Sequence, residues 1–169
     1  MIIRDAIPAD FVAIDEIIKA AFAASTMGHN GEADLVRSLH DDGDAVVSLI
    51  AEQDGQPVGH VVFSLMDVEA DGNILRAAGL APVSVIPDMQ GRGVGSALIK
   101  AGLGQLAVEG FQISFVLGHA RYYPRFGYSA ALAAPYASPF AGAHFMAVHL
   151  ESTLVLPKRG RSDYAPAFG

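Results

Sequence analysis

The sequence predicts a mixed α/β fold, with one central mixed sheet and helices on both of its faces. Three observations predict it. Apolar residues recur at helical spacing in two early segments and one central segment. Between the early and central segments lie three β-favouring runs joined by two turns, Asp54-Gly55-Gln56 and Ala70-Asp71-Gly72-Asn73. A further β run follows the central helix directly, as a right-handed parallel crossover requires.

Taken in order, Ile2-Ile3-Arg4 reads as a short first strand. Pro8 suits a first helical turn and Asp10 favours one through the helix dipole. Ile14, Ile17, Ile18, Ala21 and Phe22 then share one face, so Pro8 to Ala23 predicts an amphipathic helix. Ser25 to Gly31 is loop-like, and Leu35, Val36 and Leu39 mark a second helix from Glu32 to Leu39, stopped by Asp41-Asp42-Gly43-Asp44. Ala45 to Gln53, Pro57 to Glu69 and Ile74 to Ile86 are the three strands. Leu98, Ile99, Gly102, Leu103 and Leu106 define the central helix. Gly102 inside it costs about 1 kcal/mol against Ala, which predicts close packing on the sheet. Gln112 to Leu117 reads as a buried strand, Ala120 to Phe126 as one or two helical turns, and His144 to Leu150 as an alternating strand. The segment between, with Pro135, Pro139 and Gly142, reads as loop, and the basic tail after Pro157 as a solvated terminus. With neither an internal repeat nor a linker, residues 1–169 form one expected domain, 157–169 being its C-terminal tail.

The stretch most informative about function is Gln90-Gly91-Arg92-Gly93-Val94-Gly95-Ser96, between the third long strand and the central helix. A glycine-rich strand-to-helix turn presents main-chain N–H groups at the positive end of a helix dipole and lets a phosphate approach without meeting a Cβ. The spacing fits neither the dinucleotide fingerprint, which from Gly91 would need glycine or alanine where Ser96 stands, nor the mononucleotide loop, which needs Gly-Lys-Ser or Gly-Lys-Thr. It does fit Gln-x-x-Gly-x-Gly at Gln90, Gly93 and Gly95. A second segment, Gly118-His119-Ala120-Arg121-Tyr122-Tyr123-Pro124-Arg125-Phe126-Gly127-Tyr128, places Tyr123 four residues before Gly127-Tyr128.

Together these segments resemble the acetyl-CoA site of the GNAT superfamily of N-acetyltransferases. The motifs span Leu80 to Tyr128, and the coarse element order agrees over most of the chain. The resemblance implies two adjacent parallel strands that splay apart around the pantetheine arm, with Gln90, Gly91, Arg92, Gly93, Val94, Gly95 and Ser96 on the pyrophosphate. It implies that main-chain N–H groups at Val83, Ser84 and Val85 polarise the thioester carbonyl and that Tyr123 protonates the leaving thiolate. The acetyl group passes directly to an amine, and no Cys is present to form an acyl-enzyme.

A general base is harder to assign. Some family members carry a Glu on the strand before the loop, but Leu75 to Ile86 holds no acid. Glu32, His29 and His119 remain by position. Glu32 also suits a first helical turn, His29 a solvated loop, and His119 a satisfied strand end. Ser84 is placed to hold a water, and bulk water can itself accept the proton.

Composition narrows the partners. Hydrophobic residues make up 51% and charged residues 17% of the chain, ample for a core. The formal net charge of −7 argues against nucleic acid and favours a cationic acceptor. The histidines show no metal-ligand spacing, so no metal is expected. Met1-Ile2-Ile3-Arg4-Asp5 lacks the pattern of a secretory leader, and no run of about 18 apolar residues occurs. The expectation is a cytoplasmic acetyl-CoA-dependent N-acetyltransferase acting on a primary amine of a small molecule or peptide, with no membrane partner and edge strands compatible with a homodimer. The rivals are transfer to a hydroxyl or of a longer acyl chain, and a non-catalytic acyl-CoA-binding module on the same fold.

Overall fold

The computed structural model describes residues 1–23 and 31–169. The strands are β1 (Ile2–Asp5), β2 (Ala45–Gln53), β3 (Gln56–Ala70), β4 (Asn73–Val85), β5 (Ile113–Leu117), β6 (Tyr136–Ala137), β7 (Phe145–His149) and β8 (Gly160–Asp163). The helices are α1 (Phe11–Phe22), α2 (Glu32–Asp41), α3 (Val94–Val108) and α4 (Ala130–Ala133), with single 3-10 turns at Pro8–Asp10, Pro87–Met89, Tyr123–Phe126 and Pro166–Phe168. The strands form a mixed sheet in the order β1-β2-β3-β4-β5-β7, with β8 pairing both β3 and β6. By compactness the chain divides into two units, Met1–Phe63 with Pro82–Gly102, and Ser64–Ala81 with Leu103–Gly169.

In the first unit β1 runs antiparallel to β2, from Ile2 opposite Glu52 to Asp5 opposite Leu49. The entry to α1 is pinned by charge. Asp10 accepts the Ile7 N–H at 2.8 Å and both terminal nitrogens of Arg4, at 2.7 and 2.9 Å, while Arg4 also reaches Glu52 at 2.7 Å. The Arg4 hydrogen bonds, outweighing the desolvation of a buried carboxylate, hold Asp10 down to about 2. Ile14, Ile17 and Ile18 of α1 and Val36 and Leu39 of α2 supply the buried stripes that the periodicity predicts. The turn between β2 and β3 has positive φ at both central residues, Asp54 at 52° and Gly55 at 77°, the twist that suits a two-residue hairpin. Gly102 of α3 has no room for a side chain, because a Cβ there would overlap the Phe63 ring. The expected close approach of this helix to the sheet is therefore real.

In the second unit β4 and β5 are parallel, Ala77 to Leu80 facing Ile113 to Val116, and β5 is antiparallel to β7. Phe115 stacks on Phe145 at 5.3 Å and meets Tyr136 edge-on at 5.2 Å, forming the core of this unit. Two segments depart from expectation. The stretch read as loop before β7 contains α4 and β6; Ser129 caps α4 by accepting the Leu132 N–H. The tail is not a solvated terminus. It forms β8, antiparallel to β3 from Gly160 opposite Ala70 to Asp163 opposite Asp67. The Asp71 carboxylate accepts the Lys158 and Arg159 N–H groups at 3.0 and 2.9 Å, and Arg161 lies 3.2 Å from Asp67 and 3.3 Å from Glu69. Tyr164 then lies on the strand at Gly79, where a Cβ would come within 2.7 Å of its ring.

Candidate active site

The first unit holds the glycine loop and the strand end that leads into it. After Val85 the chain makes its Pro87–Met89 turn, and Gln90 is extended, with φ −68° and ψ 150°. Gly91 and Gly93 adopt left-handed φ of 72° and 84°, and a Cβ at either would meet nothing within 4 Å. Crowding therefore does not require these glycines. They give the loop a sharp path while leaving its outer side clear. Gln90 turns back and donates from its side-chain amide to the Val85 carbonyl at 2.9 Å, tying the loop to the end of β4. Val94 opens α3 and is buried, whereas Gln90 to Gly93 are exposed. The first N–H groups of an α-helix lack intrahelical acceptors and carry its partial positive charge. Gly91 to Gly93, with Arg92 exposed between them, thus leave an anion a clear approach to the start of α3, while the Gln90 N–H is already given to the Pro87 carbonyl at 3.2 Å. In β4, Ser84 is buried, and Val83 and Val85 are half-buried. Glu32 stands in the first turn of α2, half-buried, and His29 lies outside the described residues.

The second unit holds the tyrosine turn. Its glycine works in the opposite sense: a Cβ on Gly118 would overlap the Tyr123 ring. Tyr123 is only 8% exposed and meets Tyr122 edge-on at 5.1 Å and Tyr128 at 5.9 Å. Burial, and next the neighbouring Tyr122, push Tyr123 up to about 12, so the phenol keeps its proton through neutral pH. Gly127, at φ 94°, ends the turn in the left-handed conformation. Tyr128 beyond it is fully buried and shares a 2.8 Å hydrogen bond with Ser114. His119 is exposed, and its carbonyl accepts the Tyr122 and Tyr123 N–H groups that begin the turn. Its contribution within the structure is thus made by its main chain. Among the described residues, no cluster of three or more His, Cys, Asp or Glu side chains is arranged for a metal ion.

Two residues escaped the sequence reading. His60 is wholly buried in β3, and Tyr164, on the tail, has a buried hydroxyl without a hydrogen-bond partner among the described residues. His60 carried a signal: it is the one polar side chain in Val58-Gly59-His60-Val61-Val62-Phe63. Tyr164 carried none.

The comparisons agree with this arrangement. The acetyltransferase (GNAT) domain profile matches residues 3–131. The uncharacterized N-acetyltransferase YhbS of Escherichia coli K12 is 36% identical over 78% of this chain and 75% of its own length. YjhQ of the same organism, also an uncharacterized N-acetyltransferase, is 45% identical over 60% of this chain, a match spanning 57% of YjhQ, little more than half. Among solved structures, a GNAT family acetyltransferase from Brucella melitensis in complex with acetyl-CoA superimposes with a TM-score of 0.81 at 33% identity, over 99% of this chain and 97% of that one. YhbS from Escherichia coli in complex with CoA gives 0.84 at 29%, over 99% and 91%. The family profile, the relatives and the fold thus define an acetyltransferase of the acyl-CoA-dependent class. The chain belongs to the GNAT family.

Proposed function

We propose that this protein transfers the acetyl group of acetyl-CoA directly to a primary amine of a small molecule or peptide. The observation that carries this reading is the loop Gln90 to Ser96, whose left-handed glycines Gly91 and Gly93 leave the approach to the start of α3 clear. The acetyl-CoA and CoA complexes of the two solved relatives support it. In this reading the N–H groups from Gln90 to Ser96, with Arg92, hold the pyrophosphate, and main-chain N–H groups at Val83, Ser84 and Val85 polarise the thioester carbonyl. The amine nitrogen attacks the carbonyl carbon, and the carbon–sulfur bond breaks. Tyr123 gives its hydroxyl proton to the departing sulfur and recovers one from solvent, while the proton lost by the amine leaves to water. Glu32, in the first turn of α2, is a candidate general base for the amine proton. His119, exposed, is a candidate to relay that proton. The absence of Cys supports a cytoplasmic setting.

The test follows free thiol released from acetyl-CoA across a panel of primary amines, for the native protein and Tyr123→Phe, alongside calorimetry with CoA. Turnover is expected with at least one amine, with kcat about 100-fold lower in Tyr123→Phe and unchanged CoA affinity. CoA binding without thiol release across the panel would make the protein an acyl-CoA sensor instead.

A further inference from the structure

A chain of hydrogen bonds crosses the first unit from α2 to β3. His40 Nδ1 lies 2.8 Å from the Val36 carbonyl, His40 Nε2 lies 3.1 Å from Ser48 Oγ, and Ser48 Oγ lies 2.8 Å from His60 Nε2. One end of this chain dictates the other. A carbonyl only accepts, so His40 Nδ1 carries the hydrogen, and in the neutral ring Nε2 is then a bare acceptor. The single hydroxyl hydrogen of Ser48 goes to His40 Nε2, so its oxygen accepts from His60 Nε2–H. His60 Nδ1 is left as a bare lone pair, and it has no hydrogen-bond partner among the described residues.

Across the strand pair stands a second polar side chain in the same condition. Gly59 points at α3, since a Cβ there would lie 3.0 Å from both Leu98 and Val94. His60, the next residue, points to the opposite face, toward His40 of α2. The Ile86 N–H donates to the Val58 carbonyl at 3.0 Å, and antiparallel pairing from that bond sets Ser84 across from His60. Ser84 is 2% exposed and His60 0%, and Ser84 Oγ likewise has no hydrogen-bond partner among the described residues. Buried polar atoms are rarely left unsatisfied, and two set across a strand pair make a seat for a small hydrogen-bonding molecule.

We propose that His60 Nδ1 and Ser84 Oγ together seat one water molecule beside Val83–Val85, and that His40 and Ser48 are positioning residues that set which way this water faces. The role in transfer rests on the amine-acetylation reading above. With His40 neutral, the water donates to His60 Nδ1 and turns an oxygen lone pair outward, able to accept an N–H of the amine and leave the amine's own lone pair for attack. When His40 gains a second proton, its Nε2–H must donate to Ser48 Oγ. That proton reaches His40 along the chain: the water gives one to His60 Nδ1, the His60 Nε2 proton passes to Ser48, the Ser48 hydrogen passes to His40 Nε2, and the water takes a replacement from solvent and is left reversed. His60 itself stays neutral throughout, since burial, helped by His40 and opposed by Asp10, pushes it down to about 3. Among the described residues, Asp10 is the carboxylate that acts on His60, and it is itself paired with Arg4, which also reaches Glu52. From α1 the Phe11 ring covers His40 at 4.9 Å, and the two imidazoles stand 6.4 Å apart.

Two-bond proton–nitrogen NMR spectra of the native protein read both tautomers across pH. Above the His40 titration, His60 is expected to be protonated at Nε2; below it, at Nδ1. The amine KM is expected to rise about tenfold, one hydrogen bond's worth, with the same midpoint. Ser48→Ala should remove that KM step, and Ser48→Thr, which keeps the hydroxyl, should restore it. A high-resolution crystal structure should show a water within hydrogen-bond distance of both His60 Nδ1 and Ser84 Oγ. A single His60 tautomer throughout the His40 titration, a KM step that survives Ser48→Ala, or no such water would overturn the proposal. If CoA binds but no amine is acetylated, the transfer reading fails alone, and the tautomers and the water still decide the seat.

Discussion

Gly93 and Gly118 each follow a strand and precede a helical turn, yet their surroundings are opposite. Gly93 has a left-handed φ of 84° and open space where a side chain would be. Gly118 has a neighbour there, the ring of Tyr123. The first glycine leaves its outer side clear, and the second makes room for a ring the protein already holds. In the proposed reading, binding and chemistry would thus be built on different physics: an uncrowded backbone for the cofactor, and tight aromatic packing for the proton donor.

Three substitutions sharpen or break this contrast. Gly118→Ala is expected to have the largest effect on the fold. Its methyl must displace the Tyr123 ring, costing about 1–3 kcal/mol in chemical denaturation and lowering kcat with little change in CoA affinity. Retained stability and full kcat would show that the ring is not held by this contact. Gly93→Ala meets no atom, so its cost is conformational, about 1 kcal/mol for the left-handed backbone. Calorimetry should show CoA affinity reduced about tenfold as the loop shifts, whereas equal affinity would argue that the loop's path is irrelevant to the pyrophosphate. Smallest is Asp71→Asn. It keeps an acceptor for Lys158 and Arg159 but loses the charge, so the expected cost is below about 1 kcal/mol. Limited proteolysis should cut the tail somewhat faster, and an unchanged rate would mean that the β8 ladder alone secures it.

Legibility followed the range of the interactions involved. The Asp-Gly hairpins, the apolar stripes of α1 and α2, and the Gln90–Ser96 loop each depend on residues a few positions apart, so their spacing is visible in the chain. The tail was misread because its partners are remote. Lys158, Arg159 and Arg161 look like a solvated cluster until Asp67, Glu69 and Asp71 are brought alongside, about 90 positions away. The His60 signal was visible as a polar residue in an apolar strand, but its meaning required α2 and β2 to deliver His40 and Ser48 to it.

By itself the sequence determined the fold class, the family and the glycine turn that opens α3, because local spacing fixes backbone path and dipole direction. Tertiary structure alone decided which glycine stays open and which is filled, that the basic tail becomes a strand, and which buried nitrogen is left bare. Each of those outcomes depends on what packing removes from water, and that depends on residues far apart in the chain.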